Sequence, residues 1–257
     1  MRNALTIAGR ELRSFFVSPI AYVVLTGFLL IGGWFFFNLV ARFNFLLNIY
    51  AAMRNPQFQE QMNLNDMVVA PLLHNLAVVL VILMPMITMR TFAEEKRLGT
   101  YELLMTSPLS IGEIVAGKFL SMVVFVCIMI GLTGIYPLIL LTYGNPEVGM
   151  ITSGYLGLLL LAITFASVGL LTSSFTENQI IAAASCFAIL LLLYIISWPA
   201  ETAGGVFGSV LKYMSLTEHF AEMVKGIIDT KDLVYFISVI GISLFLTERS
   251  VESVRWR

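Results

Sequence analysis

Five stretches of the chain run for twenty residues or more without a single charged side chain: 20–41, 67–89, 119–143, 151–173 and 179–198. A bilayer core is about 30 Å thick, and an α-helix needs about 20 mostly apolar residues to cross it. At mid-membrane a charge costs about 3 kcal/mol and each Leu or Phe returns about half of one. Charge-free runs of this length therefore favour insertion. A sixth run, 233–247, holds only 15 charge-free residues. It spans if its helix extends back toward Ile227 or its ends snorkel. The third run has Lys118 at its foot, and its helix is expected to begin near Ile114. The pattern predicts an all-α integral membrane protein: one transmembrane domain over 1–257, with six spans near 20–41, 67–89, 114–143, 151–173, 179–198 and 230–248.

Composition agrees. Hydrophobic residues make up 58% of the 257 positions and charged ones 12%, against roughly 45–50% and 25% in soluble domains. Net charge is −1, which leaves no basic footprint for nucleic acid. With six spans and an inner N-terminus, ten of the fifteen Lys and Arg fall on the inner side. The positive-inside rule then places both termini in the cytoplasm. Arg2, Arg10, Glu11 and Arg13 precede the first long apolar run. That run is too long for a signal-peptide core, so the first span is expected to remain in the mature protein. Cys127 and Cys186 each sit inside an apolar run, which predicts neither a disulfide framework nor a zinc site.

Amphipathic segments border the spans. Leu5, Ala8, Leu12 and Phe15 or Phe16 recur at helical spacing with Arg10 and Arg13 between them, which predicts an interfacial helix leading into span one. Between spans two and three, 90–108 interleaves Glu94, Glu95, Lys96, Arg97 and Glu102 with Phe92, Leu98, Leu103 and Leu104. Apolar side chains on a charged cytoplasmic loop need the interface or a partner to cover them. Gly99-Thr100 breaks this segment, and 101–105 offers a second short helical piece. The long connection 199–232 is expected to form short helices dipping into the outer leaflet. Pro85 and Pro137 lie inside spans and read first as packed bends.

Catalytic chemistry is not apparent. Gly112, Gly117 and Lys118 have the spacing of a phosphate loop, but Phe119 stands where Ser or Thr must hold magnesium and no strand precedes it. Lys118 is expected instead to snorkel toward inner-leaflet phosphates. His74 is expected to make a structural hydrogen bond to a neighbouring helix. His219 lacks the partners of a metal site. An intramembrane enzyme would need polar groups at matched depth, and the clear spans hold no ionisable residue except His74. Energy for vectorial work is therefore expected to enter through the cytoplasmic loops.

Three stretches resemble a known family. The block 86–110, Met-Ile-Thr-Met-Arg-Thr-Phe-Ala-Glu-Glu-Lys-Arg-Leu-Gly-Thr-Tyr-Glu-Leu-Leu-Met-Thr-Ser-Pro-Leu-Ser, continues to Ile-Val-Ala-Gly-Lys-Phe at 114–119. The others are Ser-Ser-Phe-Thr-Glu-Asn-Gln at 173–179 and Gly-Ile-Ile-Asp-Thr-Lys-Asp-Leu-Val-Tyr-Phe at 226–236, the latter followed by a basic tail. Together they are similar to ABC-2-type permease subunits of ABC transporters, with gliding-motility-associated bacterial permeases the nearest in flavour. The resemblance implies a dimer of six-span subunits in a bacterial inner membrane, each resting on a separate ATP-binding subunit. ATP and Mg belong to that partner, so this chain is expected to carry no cofactor and no catalytic site. The loop after span two would be the coupling helix, with Glu94, Glu95, Arg97, Gly99, Thr100, Glu102 and Leu103 matching its core. Glu177, Asn178 and Gln179 would form a second contact. Export is the expected activity; the alternative is an ATPase-coupled mechanical or scaffold complex without solute flux.

Overall fold

The computed structural model describes residues 2–52, 63–102, 109–199 and 204–254. These residues contain no strand, and six of their helices are long and apolar enough to cross a membrane. Helix α1 (Arg2–Val17) breaks at Ser18 and leads into α2 (Pro19–Ala52). After residues 53–62 a π-helical turn, Asn65–Val69, runs directly into α3 (Ala70–Thr88). Then follow α4 (Arg90–Arg97), α5 (Ile111–Thr133), α6 (Ile135–Tyr143) and α7 (Val148–Phe175). The last four are α8 (Gln179–Ile195), α9 (Gly205–Met214), α10 (Leu216–Val224) and α11 (Thr230–Val254).

The third and sixth spans run further than their charge-free runs do. The third begins at Ile111 because Ser110 caps it: the Ser110 hydroxyl accepts from the Glu113 amide, and the Glu113 carboxylate accepts from the Ser110 amide. This reciprocal box satisfies two otherwise orphaned donors. The sixth run, short by composition, sits within a continuous helix from Thr230 to Val254.

Helix α7 is the centre of the bundle. Small residues line it where other helices cross. A β-carbon at Gly169 would lie 2.1 Å from the Thr88 hydroxyl of α3, and one at Gly154 would lie 2.5 Å from Leu73. Lipid offers no hydrophobic drive for helices to associate, so close backbone approach through small residues is what lets dispersion hold them. The outer helices α2, α8 and α11 instead expose large apolar side chains such as Leu30, Trp34, Ile180 and Ile237.

Both intrahelical prolines sit in packed surroundings. Pro137 cannot donate to the carbonyl of Thr133, four residues back, and the helix turns at Gly134. The Tyr155 hydroxyl of α7 donates to that freed carbonyl at 3.0 Å. Pro85 is buried in the last turns of α3. His74 differs from expectation. Its Nδ1 lies 3.0 Å from the carbonyl of Ala70 on its own helix, and its ring packs on Phe220. The bond is local because the carbonyl one turn back is the nearest acceptor to a helical side chain.

The outer connection folds into α9 and α10. Gly204 and Gly205 both have positive φ (58° and 60°) at the start of α9, a backbone that glycine adopts without steric cost. Helix α9 exposes Val206, Phe207 and Tyr213, whereas α10 buries Leu216, Phe220 and Met223.

Candidate functional site: the elbow after span two

The elbow begins as a continuation of span two. Met89 separates α3 from α4 yet keeps helical dihedrals (φ −55°, ψ −28°), and its amide donates to the Pro85 carbonyl. Helix α4 buries Thr91, Phe92 and Ala93 and leaves Arg97, at its end, exposed. It ends at Gly99, whose φ of 71° and amide bond to the Lys96 carbonyl form a left-handed stop.

Ser173, at the foot of α7, holds the elbow. Its hydroxyl accepts from the amides of Phe92 and Ala93, at 3.0 and 3.1 Å, and donates to the Met89 carbonyl. The Lys96 ammonium and the Ser250 hydroxyl of α11 both donate to the Ser174 carbonyl. Tyr101, beyond the turn, donates to the Val251 carbonyl of α11 at 3.3 Å. Burial, and then the nearby Glu95 charge, push its phenol up to about 12, so at neutral pH it remains a donor. One serine, one lysine and one tyrosine thus fasten the elbow to spans four and six.

Lys118 fastens it to span three and to α1. This lysine does not snorkel to head groups; its side chain is fully buried. Its ammonium donates to Glu95 Oε1 at 2.8 Å, Glu11 Oε1 at 3.2 Å and the Thr91 carbonyl at 2.9 Å, and lies 5.1 Å from the centre of the Phe92 ring. A lysine facing two carboxylates and a carbonyl at bonding distance has no need of lipid phosphate. Glu11 reaches it because α1 packs flat on α5. The buried stripe of α1 runs through Ile7 and Ala8 toward Phe15, with Leu5 outside it at 62% exposed. Glu11, one turn beyond Ile7, shares that stripe. Gly117 allows the approach: a β-carbon there would sit 2.7 Å from Ile7 Cβ and 2.9 Å from the Ala4 carbonyl. The glycine of the apparent phosphate-loop spacing is thus a helix crossing, and its lysine an internal ion partner.

The residues expected at the coupling surface divide into two groups. Arg97, Gly99, Thr100 and Glu102 are exposed along one end of the elbow, with Leu98, 62% exposed, among them. The Thr100 hydroxyl donates back to the Glu95 carbonyl. Glu95 is turned inward: Oε1 is held by Lys118 and Oε2 is buried without a hydrogen-bond partner. Glu94 is half-buried beside α1. Leu103 lies outside the described residues. In the second loop Glu177 is exposed, and its charge acts on Lys96. The Asn178 side chain caps α8, accepting from the amides of Ile180 and Ile181. Gln179 is half-buried, and its amide nitrogen has no partner. Lys118, Glu11, Ser173 and Tyr101 were not expected as anchors. The available signals were a lone lysine at the foot of an apolar run and an acid on the apolar stripe of α1.

An elbow bolted to a bundle of six helices long and apolar enough to cross a membrane defines a multi-pass membrane protein. The family described as "ABC-2 family transporter protein" matches residues 5–247, and the chain belongs to it. It is therefore a permease subunit of an ABC transporter, a class that works with an ATP-binding subunit. No curated protein matches the chain.

Proposed function

We propose that this subunit exports its cargo by converting movement of a separate cytoplasmic ATP-binding subunit into tilting of its spans, working beside a second permease copy in a bacterial inner membrane. The observation that carries this reading is the elbow. Its exposed end offers Arg97, Leu98, Thr100 and Glu102 beside Glu177. Its buried side is tied to α1, α5, α7 and α11. A push on the exposed end reaches four helices at once, through hydrogen bonds and ion pairs rather than a slack loop. Mixed charges with an exposed leucine suit a docking surface, charge giving register and the leucine giving burial. ATP and Mg act in the partner; Glu95, through Lys118, keeps the elbow in place from within.

Charge reversal tests this. Arg97→Glu with Glu102→Lys should lower ATP hydrolysis by the reconstituted complex roughly tenfold or more, the scale of two lost interfacial charge contacts, while leaving the thermal midpoint of the permease unchanged. Unaltered hydrolysis and complex formation would remove the elbow from the coupling path.

A further inference from the structure

A cleft between α1 and α4 borders the proposed docking surface and shares Leu98 and Thr100 with it. Its open part, about 860 Å³, lies between Arg10, Glu11 and Ser14 on one side and Arg90, Glu94 and Leu98 on the other. Beside it lies a chamber of about 90 Å³, walled by Phe15, Ala21, Ile87, Phe125 and Met86, the last 46% exposed. Ser14, Ser18, Arg90 and Glu94 stand at its mouth. The site therefore joins a polar rim to an apolar slot where spans one and two meet the inner leaflet.

Charge on the rim is already divided. Lys118 and Arg10 face Glu11 and Glu95, at 3.2, 2.8, 2.9 and 3.9 Å, and these four charges cancel. Arg90 and Glu94 are left over. They lie one turn apart on α4, yet among the described residues neither the Arg90 guanidinium nor the Glu94 carboxylate has a hydrogen-bond or ion-pair partner. Arg90 Nε is buried as well as unpartnered. A buried donor left unsatisfied costs about 1–3 kcal/mol, so something that accepts from Arg90 fits there.

We infer that this cleft holds the head group of a zwitterionic aminophospholipid: phosphate on Arg90 with the Ser14 and Ser18 hydroxyls, primary ammonium on Glu94. A guanidinium suits phosphate through paired donors. A carboxylate beside it disfavours a purely anionic head group and suits a cation on the same ligand. The chamber is too small to take a lipid whole. It accommodates the glycerol end while the chains stay in the bilayer along Met86 and span one. Bound so, the lipid would wedge α1 against the elbow.

The inference does not depend on the ATPase, and its test uses the full chain without one. The purified protein is stripped of lipid and titrated with phosphatidylethanolamine, phosphatidylcholine and phosphatidylglycerol, and bound lipid is counted by native mass spectrometry. Phosphatidylethanolamine should be retained roughly tenfold better than either competitor, the worth of one charge-assisted hydrogen bond. Glu94→Gln should abolish that preference, and Arg90→Gln should weaken retention of all three lipids. Ala21→Leu, which narrows the chamber and leaves the charges alone, should lower retention without changing the order. Equal retention by the unaltered protein, or a preference that survives both charge substitutions, would overturn the inference. Either result leaves the coupling role of Arg97 and Glu102 standing, and failure of that role leaves this site standing.

Discussion

Buried pairs of ionisable side chains fasten both ends of the bundle, and the two fastenings are built differently. At the inner end Lys118 gathers Glu11 and Glu95, so a single ammonium joins three elements far apart in sequence. Its carboxylate partners stay 17–20% exposed and border an open cleft. At the outer end His219 and Asp232 sit only 13 residues apart, 2.6 Å from each other, and are almost wholly buried. His219 Nε2 donates to the Tyr213 carbonyl. The imidazole stacks on Tyr235 at 4.0 Å, with Tyr213 and Phe236 edge-on. The Tyr235 hydroxyl in turn donates to the Met214 carbonyl. One fastening is a long-range, half-wet junction at the elbow, the proposed docking face; the other is a local, dry latch closing the turn between α10 and α11. A junction meant to move needs partners that water and a second protein can replace. A latch meant to stay needs neither.

Substituting the two fastenings sharpens this contrast. The largest effect belongs to Lys118→Met, which strands two carboxylates around an apolar side chain. Breaking a buried ion pair from one side costs about 3–5 kcal/mol, read as a lowered thermal midpoint in detergent. Adding Glu11→Gln and Glu95→Gln should recover most of that loss while coupling to ATP hydrolysis stays impaired. Full recovery of coupling as well would show that the junction serves stability alone. A smaller effect is expected from Asp232→Asn, which keeps the shape of the latch but replaces its carboxyl group with an amide. The cost should be about 1–3 kcal/mol, with ATP hydrolysis by the assembled complex unchanged. Loss of hydrolysis without loss of stability would make the outer latch a moving part and erase the distinction.

The spans were legible because lipid solvation depends on what is absent from a run, and a charge-free run can be read one residue at a time. The elbow was legible as a segment, since charges and apolar residues alternate over 90–105 without filling a span. What the elbow grips was not. Glu95 resembles its neighbour Glu94 in sequence; the rotation of α4 decides that one faces Lys118 and the other faces the cleft. Lys118 was misread because a lysine at a span's foot has two outlets, phosphate or carboxylate. The choice depends on Glu11, 107 residues away, and on Gly117 letting α1 come close. The Asp232 latch escaped for a similar reason: the acid's partner lies on a separate short helix, and no fixed spacing marks such a pair.

Coupling requires the elbow to face the cytoplasm and to meet a partner there. A cysteine at Arg97, in a chain whose Cys127 and Cys186 are changed to serine, reports on both points when challenged with a membrane-impermeant maleimide. Labelling should occur in inverted vesicles only and should fall when the ATP-binding subunit is bound. Labelling from the extracytoplasmic side of intact cells would contradict the orientation, and with it the docking surface and the path by which a motor moves these spans.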